Sequence, residues 1–288
     1  KQARGGSMNT ILVPFHDDEF ADAALELAAL VARRDNAHIQ GLYVLRPPQI
    51  FASEGIAIPG GYITELADEE HALAERAHER FDVTVARAGL ALRGLEDGGD
   101  GASASWLEVE GLEPLIVGEQ GRLFGLIVVG RASSHAAADW NATCEAAMFD
   151  SGRAVLVAPE SAPTEMGKRI LIAWNCSTET AHTVYAGREF LRAADEVVVL
   201  TVEGGTVPGP SGDDLAAHLR HAGVSATSHT VAAAGRNVGE AILSECAQMN
   251  ADMLFKGAYT HTRLRQMIFG GATRHILSHA TLPVLMAH

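Results

Sequence analysis

Cysteine is scarce in this sequence. Cys144, Cys176 and Cys246 are the three in 288 residues, and no two of them form a CxxC pair. An odd, scattered set gives no disulfide framework and suits a reducing compartment, so the expected location is cytoplasmic. No apolar run reaches the roughly 18 residues that a membrane-spanning helix needs, so no membrane partner is expected. No secretory signal pattern opens the chain; Lys1 to Ser7 read as the remnant of an expression tag, with the native start expected at Met8. Basic residues are outnumbered, 22 Lys and Arg against 36 Asp and Glu, for a net charge of −14. Such a surface repels phosphodiester backbones and argues against sequence-independent nucleic-acid binding. Several catalytic signatures are missing too. There is no GxxxxGK[ST] phosphate loop, no GxSxG nucleophile elbow, and neither SGGxDS nor HxGH, the marks of related adenylating enzymes.

What is present is a globular composition, 47% hydrophobic and 20% charged, in a chain long enough for two domains. The chain repeats itself. "TILVPFHD" at Thr10–Asp17 matches "RILIAWNC" at Arg169–Cys176, and "LIVVGRAS" at Leu126–Ser133 has the character of "LFKGAYTH" at Leu254–His261. "AVLVAP" at Ala154–Pro159 matches "PVLMAH" at Pro283–His288, in the same order and at similar spacing. "APESAPTEMG" at Ala158–Gly167 reads as the linker. The domains are therefore expected at residues 8–160 and 168–288.

In the second half, apolar strands alternate with helical segments. Strands are expected at "KRILIAW", "EVVVLTV", "VSATSHTV", "ADMLFKG" and "LPVLMAH". Helices are expected at "STETAHTVYAGREFLRAA", opened by Ser177 as N-cap, and at "GDDLAAHLRHAG", "VGEAILSECAQMN" and "ATRHILSHA". Continuous apolar strands separated by helices predict a parallel sheet covered on both faces. The first half follows the same plan with two longer connections. One runs from Arg46 to Tyr62 ahead of a helix expected over Thr64–Ala88, and the other from Leu92 to Ser103. The fold class is thus α/β: two repeated, doubly wound, five-stranded parallel sheets of Rossmann-like type.

In such sheets ligands bind beyond the carboxyl ends of the strands, where the winding reverses. In the second half that crevice lies between Asn175 and Gly257, and "GAYTHTRLRQMIFGGATRH" sits at it. Glycine admits close backbone approach, and a helix starting near Thr273 aims free N–H groups and its positive end at the crevice. Thr260, His261, Thr273 and Arg274 supply further donors. Two readings stand at this point: a phosphate loop, or two ordinary turns with nothing bound.

Both halves resemble the universal stress protein domain, over nearly all of the chain after Met8. Nucleotide binders of that family carry glycine, two residues, glycine, nine residues, then glycine followed by Ser or Thr. Here Gly257 and Gly270 keep their places, while Thr260 stands for the second glycine and Gly271 for the hydroxyl residue; Thr273 is the nearest replacement. The family's adenine-contacting Asp is Asn175 here. The resemblance implies an adenine nucleotide (ATP, ADP or AMP, with Mg possible) in the second half. Its expected contacts are Asn175, Ser177, Gly257, Tyr259, Thr260, His261, Gly270, Gly271 and Thr273. In the first half the segment after Gly130 has no glycine pair, His16 replaces the Asp, and Asp17 and Asp18 repel phosphate, so a degenerate site is expected. The family dimerises through its last strands, which implies intramolecular pairing of "AVLVAP" with "PVLMAH" and leaves a further homodimer open. With no recognisable base or metal carboxylate set, the second half reads as a sensor or regulator. A non-nucleotide scaffold, a binder of another small molecule and a slow ATP hydrolase are the alternatives. Two His pairs, His275 with His279 and His218 with His221, read as packed or solvated rather than as metal ligands, and Lys256 reads as snorkelling from its strand end, with a reach toward phosphate as the alternative.

Overall fold

A computed structural model describes residues 9–47, 60–97, 99–131, 137–258 and 271–288. In chain order the first half contains β1 (Thr10–Pro14), α1 (Glu19–Asp35), β2 (His38–Leu45), α2 (Gly60–Arg87), β3 (Ala91–Leu92), β4 (Ser103–Glu110), α3 (Glu113–Gln120), β5 (Leu126–Val129), α4 (Ala137–Phe149) and β6 (Val155–Val157). The second half contains β7 (Arg169–Ala173), α5 (Thr178–Ala186), α6 (Arg188–Ala193), β8 (Glu196–Glu203), α7 (Gly212–His221), β9 (Ala226–Ala232), α8 (Val238–Gln248), β10 (Met253–Gly257), α9 (Gly271–His279) and β11 (Val284–Ala287).

The strands form one sheet in the order β3-β4-β2-β1-β5-β6-β11-β10-β7-β8-β9. Every neighbouring pair is parallel except β6 with β11, which run antiparallel with Leu156 opposite Leu285. The order on one side of that junction mirrors the order on the other, β4-β2-β1-β5-β6 against β9-β8-β7-β10-β11. Short β3 is the sixth strand of the first half, where five are expected from the repeat. The central strands are apolar along their whole length because helices cover both faces: Ile11, Leu12, Val13, Leu126, Ile127 and Val128 are fully buried.

Helix limits follow local chemistry. Asp18 caps α1 by accepting a hydrogen bond from the Ala21 N–H at 2.8 Å, and Ser211 with Asp214 makes a reciprocal box on α7. The single helix expected over Ser177–Ala194 is broken in two at Gly187. A Cβ at that glycine would run into the Phe255 ring and lie 2.7 Å from Leu285 Cδ2, so the helix bends where the sheet core rises beneath it. Helix α2 starts four residues before Thr64; most of the Arg46–Tyr62 connection lies outside the described residues.

Buried His38 in β2 is flanked by two hydroxyls. Its Nδ1 lies 2.9 Å from Ser103 Oγ and its Nε2 2.8 Å from Ser105 Oγ. Burial, with the Arg93 charge in a smaller part, holds its pKa below the ordinary value of 6.5. The native state thus favours neutral imidazole, while the unfolded chain takes up a proton below pH 6.5. The stability this histidine contributes is present above that pH and is lost as pH falls through the folded pKa. Urea melts between about pH 7 and pH 5 are expected to show a loss that His38→Gln abolishes. An acid limb unchanged in His38→Gln would refute the assignment.

Candidate functional site at the two strand switches

Two switch points follow from the strand order: β1 beside β5, and β7 beside β10. At the second, β7 is followed by buried Trp174, whose indole N–H donates to Pro210 O at 2.9 Å. The chain then turns sharply. Cys176 has φ +66, an uncommon left-handed backbone for a residue with a side chain. This turn brings Asn175 Oδ1 to the mouth of α5, where it accepts from Thr180 Oγ1 at 2.6 Å and from the Ser177 N–H at 3.3 Å. Ser177 in turn accepts from the Thr180 N–H at 3.2 Å, so it serves as the helix cap. Two expected ligand contacts, Asn175 and Ser177, therefore hold the first turn of α5 in the structure.

Gly257 ends β10 against that same turn. A Cβ there would lie 2.5 Å from Thr180 N and 2.6 Å from Thr180 Oγ1. Gly130, at the end of β5, is the counterpart: a Cβ would overlap the carbonyl of Phe20 in the first turn of α1. Both halves thus place glycine where a helix start crosses the strand end. That gives Gly257 a packing reason which the sequence did not reveal, whatever binds nearby. Gly271 differs. Among the described residues a Cβ there would meet only Asn237 Nδ2 at 3.4 Å, ordinary van der Waals contact.

Across the crevice from α5, Lys256 sits at the β10 end and Thr273 in the first turn of α9. Lys256 does not snorkel into solvent as expected. Its ammonium donates to Thr273 Oγ1 and to Gly257 O, each at 2.8 Å. Burial lowers its pKa from 10.5 to about 8. A cation thus stands beside the positive end of α9. Tyr259, Thr260, His261 and Gly270 are the remaining expected contacts between β10 and α9 in the chain. Those four expected contacts lie outside the described residues. Of the expected histidine pairs, His275 and His279 stack ring on ring at 4.3 Å, and His279 Nδ1 lies 2.9 Å from His275 O. His218 Nδ1 similarly lies 2.9 Å from Asp214 O. Among the described residues no group of three His, Cys, Asp or Glu is placed to hold a metal.

The first half builds its switch from other groups. His16 Nε2 lies 2.7 Å from Glu113 Oε2, and Glu113 Oε1 accepts from Thr143 Oγ1 at 2.9 Å. The Glu113 hydrogen bond and charge outweigh desolvation and raise the His16 pKa; the same pair outweighs burial of Glu113 and lowers its carboxyl below the usual range. Asp17 and Asp18 are both engaged at this site: Asp18 caps α1, and Asp17 pairs with Arg76 and Arg80 at 3.2 and 3.4 Å. Two adjoining cavities, about 310 and 240 Å³, share His16, Arg46 and Glu113. Sequence reasoning missed this network because its partners lie 97 and 30 residues apart, with no spacing rule to connect them.

The model of the Universal stress protein family matches residues 126–288. Among solved structures, a universal stress protein from Archaeoglobus fulgidus DSM 4304 aligns over 97% of this chain and 98% of its own, with a TM-score of 0.71 at 17% identity. A functionally unknown protein from Pseudomonas aeruginosa PAO1 aligns over 96% of this chain and 92% of its own, with a TM-score of 0.53 at 16% identity. At these identities the likeness is one of fold. No curated protein sequence matches the chain significantly.

Proposed function

The chain belongs to the universal stress protein family, and from that premise we propose that it is a stress-response protein with two such domains. In this reading its second half binds an adenine nucleotide at the switch between β7 and β10 and works as a sensor or regulator. The observation that carries the reading is the meeting of the Lys256 ammonium with Thr273 and the N-terminus of α9 at that crevice. A phosphate placed there meets a cation, a hydroxyl and the free N–H groups of a helix start, the combination that favours anions. The adenine lies toward Asn175, whose side-chain oxygen accepts from Thr180 Oγ1 at the head of α5. Sensing in the cytoplasm, with the two halves paired within one chain and a further homodimer left open, completes the reading.

Calorimetric titration with ATP, ADP and AMP tests it. At least one nucleotide is expected to bind, and Gly271→Ser is expected to tighten binding by roughly tenfold or more. That substitution restores a hydroxyl at the head of α9, and a hydrogen bond to a charged group contributes about 1.5 kcal/mol or more. No heat from any of the three, with or without Mg, would end the nucleotide reading.

A further inference from the structure

Arg131 stands two residues past the end of β5. Its side chain is 10% exposed, and it reaches across the seam into the second half. Nη2 donates to Leu277 O at 2.9 Å and Nη1 to Ala280 O at 3.2 Å, at the carboxyl end of α9. Carbonyls there have no partner further along their own helix, and a cation is favoured at that end of the dipole. Ile276 O and His275 O find theirs locally, from the Ala280 N–H and beside His279 Nδ1. Leu277 and Ala280 are served from the first half. The carboxylate of Glu160, in the linker, lies 3.6 Å from the same guanidinium but is itself 75% exposed. In the repeat, Gly130–Arg131 matches Gly257–Ala258, and buried Ala258 has no side chain to return the contact. At this repeated position the contact runs one way, from the first half onto α9.

Helix α9 has 9 residues and is roughly 13 Å long, short enough to move as one rigid piece. Its other end carries Thr273, which accepts from the Lys256 ammonium at 2.8 Å. Between the ends α8 packs on its flank, where a Cβ at Gly239 would fall 2.6 Å from Ala272 O. A flank contact resists separation better than sliding, so the two ends set the position along the axis. A slide of about 1 Å lies within the range of helix shifts and is enough to break the Lys256 to Thr273 hydrogen bond. We propose that Arg131 is a positioning residue for the second-half crevice: by holding the carboxyl end of α9, it keeps Thr273 on Lys256 and the helix start aimed at a bound phosphate. The phosphate in that statement rests on the nucleotide reading. The first half thus has a task in binding although its own switch is filled by the His16–Glu113 pair.

Two measurements on the full chain test it: ATP affinity by calorimetry, and the titration of Lys256 by NMR. The chain has three lysines, Lys1, Lys168 and Lys256, so selective labelling resolves the signal. Arg131→Gln is expected to weaken ATP binding roughly tenfold. It is also expected to move the Lys256 pKa from about 8 toward 10.5, as the loosened helix admits water. Arg131→Lys keeps a cation but loses the fork that spans two carbonyls, and is expected to fall between wild type and Arg131→Gln in both readouts. Glu160→Gln leaves the carbonyl contacts in place and is expected to change neither. A merely structural arginine would lower the melting temperature of Arg131→Gln and leave both readouts of the folded protein at wild-type values. That result overturns the proposal, as does an unmoved Lys256 titration or an Arg131→Lys protein no better than Arg131→Gln. Should Arg131→Gln fail to fold, Arg131→Lys against wild type carries the test, with a shift of both readouts in the stated directions required. Should wild type bind no nucleotide, the nucleotide reading fails alone, and the Lys256 titration still decides whether Arg131 sets α9.

Discussion

Lys256→Met is expected to make the protein more stable and at the same time to remove nucleotide binding. The stability half follows from burial. With a folded pKa of about 8 against an ordinary 10.5, the charged lysine costs the fold about 3 kcal/mol at neutral pH. Methionine has similar length and no charge to desolvate. It gives up the hydrogen bonds to Thr273 and Gly257, about 1 kcal/mol of net stabilisation, so a gain of about 2 kcal/mol remains. The pH dependence fixes the cause. Between pH 8 and 10.5 the unfolded chain binds more protons at this lysine than the folded one, so wild-type stability rises as pH climbs through that window. The variant lacks that rise. Denaturant melts at about pH 7 and pH 9.5 check both signs. A variant less stable than wild type at neutral pH would mean that the lysine is structural glue. A charge kept at a cost to folding at a crevice is the usual pattern of a functional group. If phosphate is what it serves, wild-type ATP affinity falls as pH rises through about 8, while the weak residual affinity of the variant does not change there.

Alanine at Gly257 and at Gly130 is expected to destabilise by about 3 kcal/mol in each case, the upper end of ordinary overpacking costs. The obstacle is backbone rather than a mobile side chain: Thr180 N at 2.5 Å for one, the Phe20 carbonyl for the other. Neither α5 nor α1 can retreat cheaply, because the first turn of α5 is tied to Asn175 and that of α1 to Asp18. Alanine at Gly271, by contrast, is expected to be close to neutral. A set of three melts therefore separates two reasons for glycine at a strand end. If Gly257 and Gly130 tolerate alanine and Gly271 does not, the packing explanation is wrong. The comparison also shows why loss of ligand binding in a Gly257 variant cannot by itself identify a phosphate loop, since the fold changes first.

The repeated strand–helix plan was legible because apolar blocks such as "ILVP" and "ILIA" must be buried on both faces, and burial leaves its mark residue by residue. The cap at Ser177 was legible for the same local reason. The meaning of Gly257 was not. Its constraint comes from Thr180, on a helix 77 residues earlier in the chain, and a glycine reads alike whether a helix or an anion approaches it. Lys256 misled in a related way, since a lysine at a strand end ordinarily reaches water, and only the position of Thr273 turns it inward. His16 was noticed only as a departure from a motif, and its role as partner of Glu113 depends on two elements brought together by the sheet. Half-burial at the first-half switch was likewise invisible in composition, because Asp17 and Asp18 look like a repulsive pair until each is found with its own partner.

The antiparallel seam between β6 and β11 carries a further consequence, in the domain of concentration. Two separate copies that met through such strands would part on dilution, and their melting temperature would move with protein concentration. Here the half that carries the partner strand is tethered by a connection of eleven residues, Ala158 to Lys168, which holds it at an effective concentration that dilution cannot lower. The tether also fixes composition. Every molecule carries one of each half, never two alike, so whatever the halves do separately is delivered in a one-to-one ratio at any level of expression.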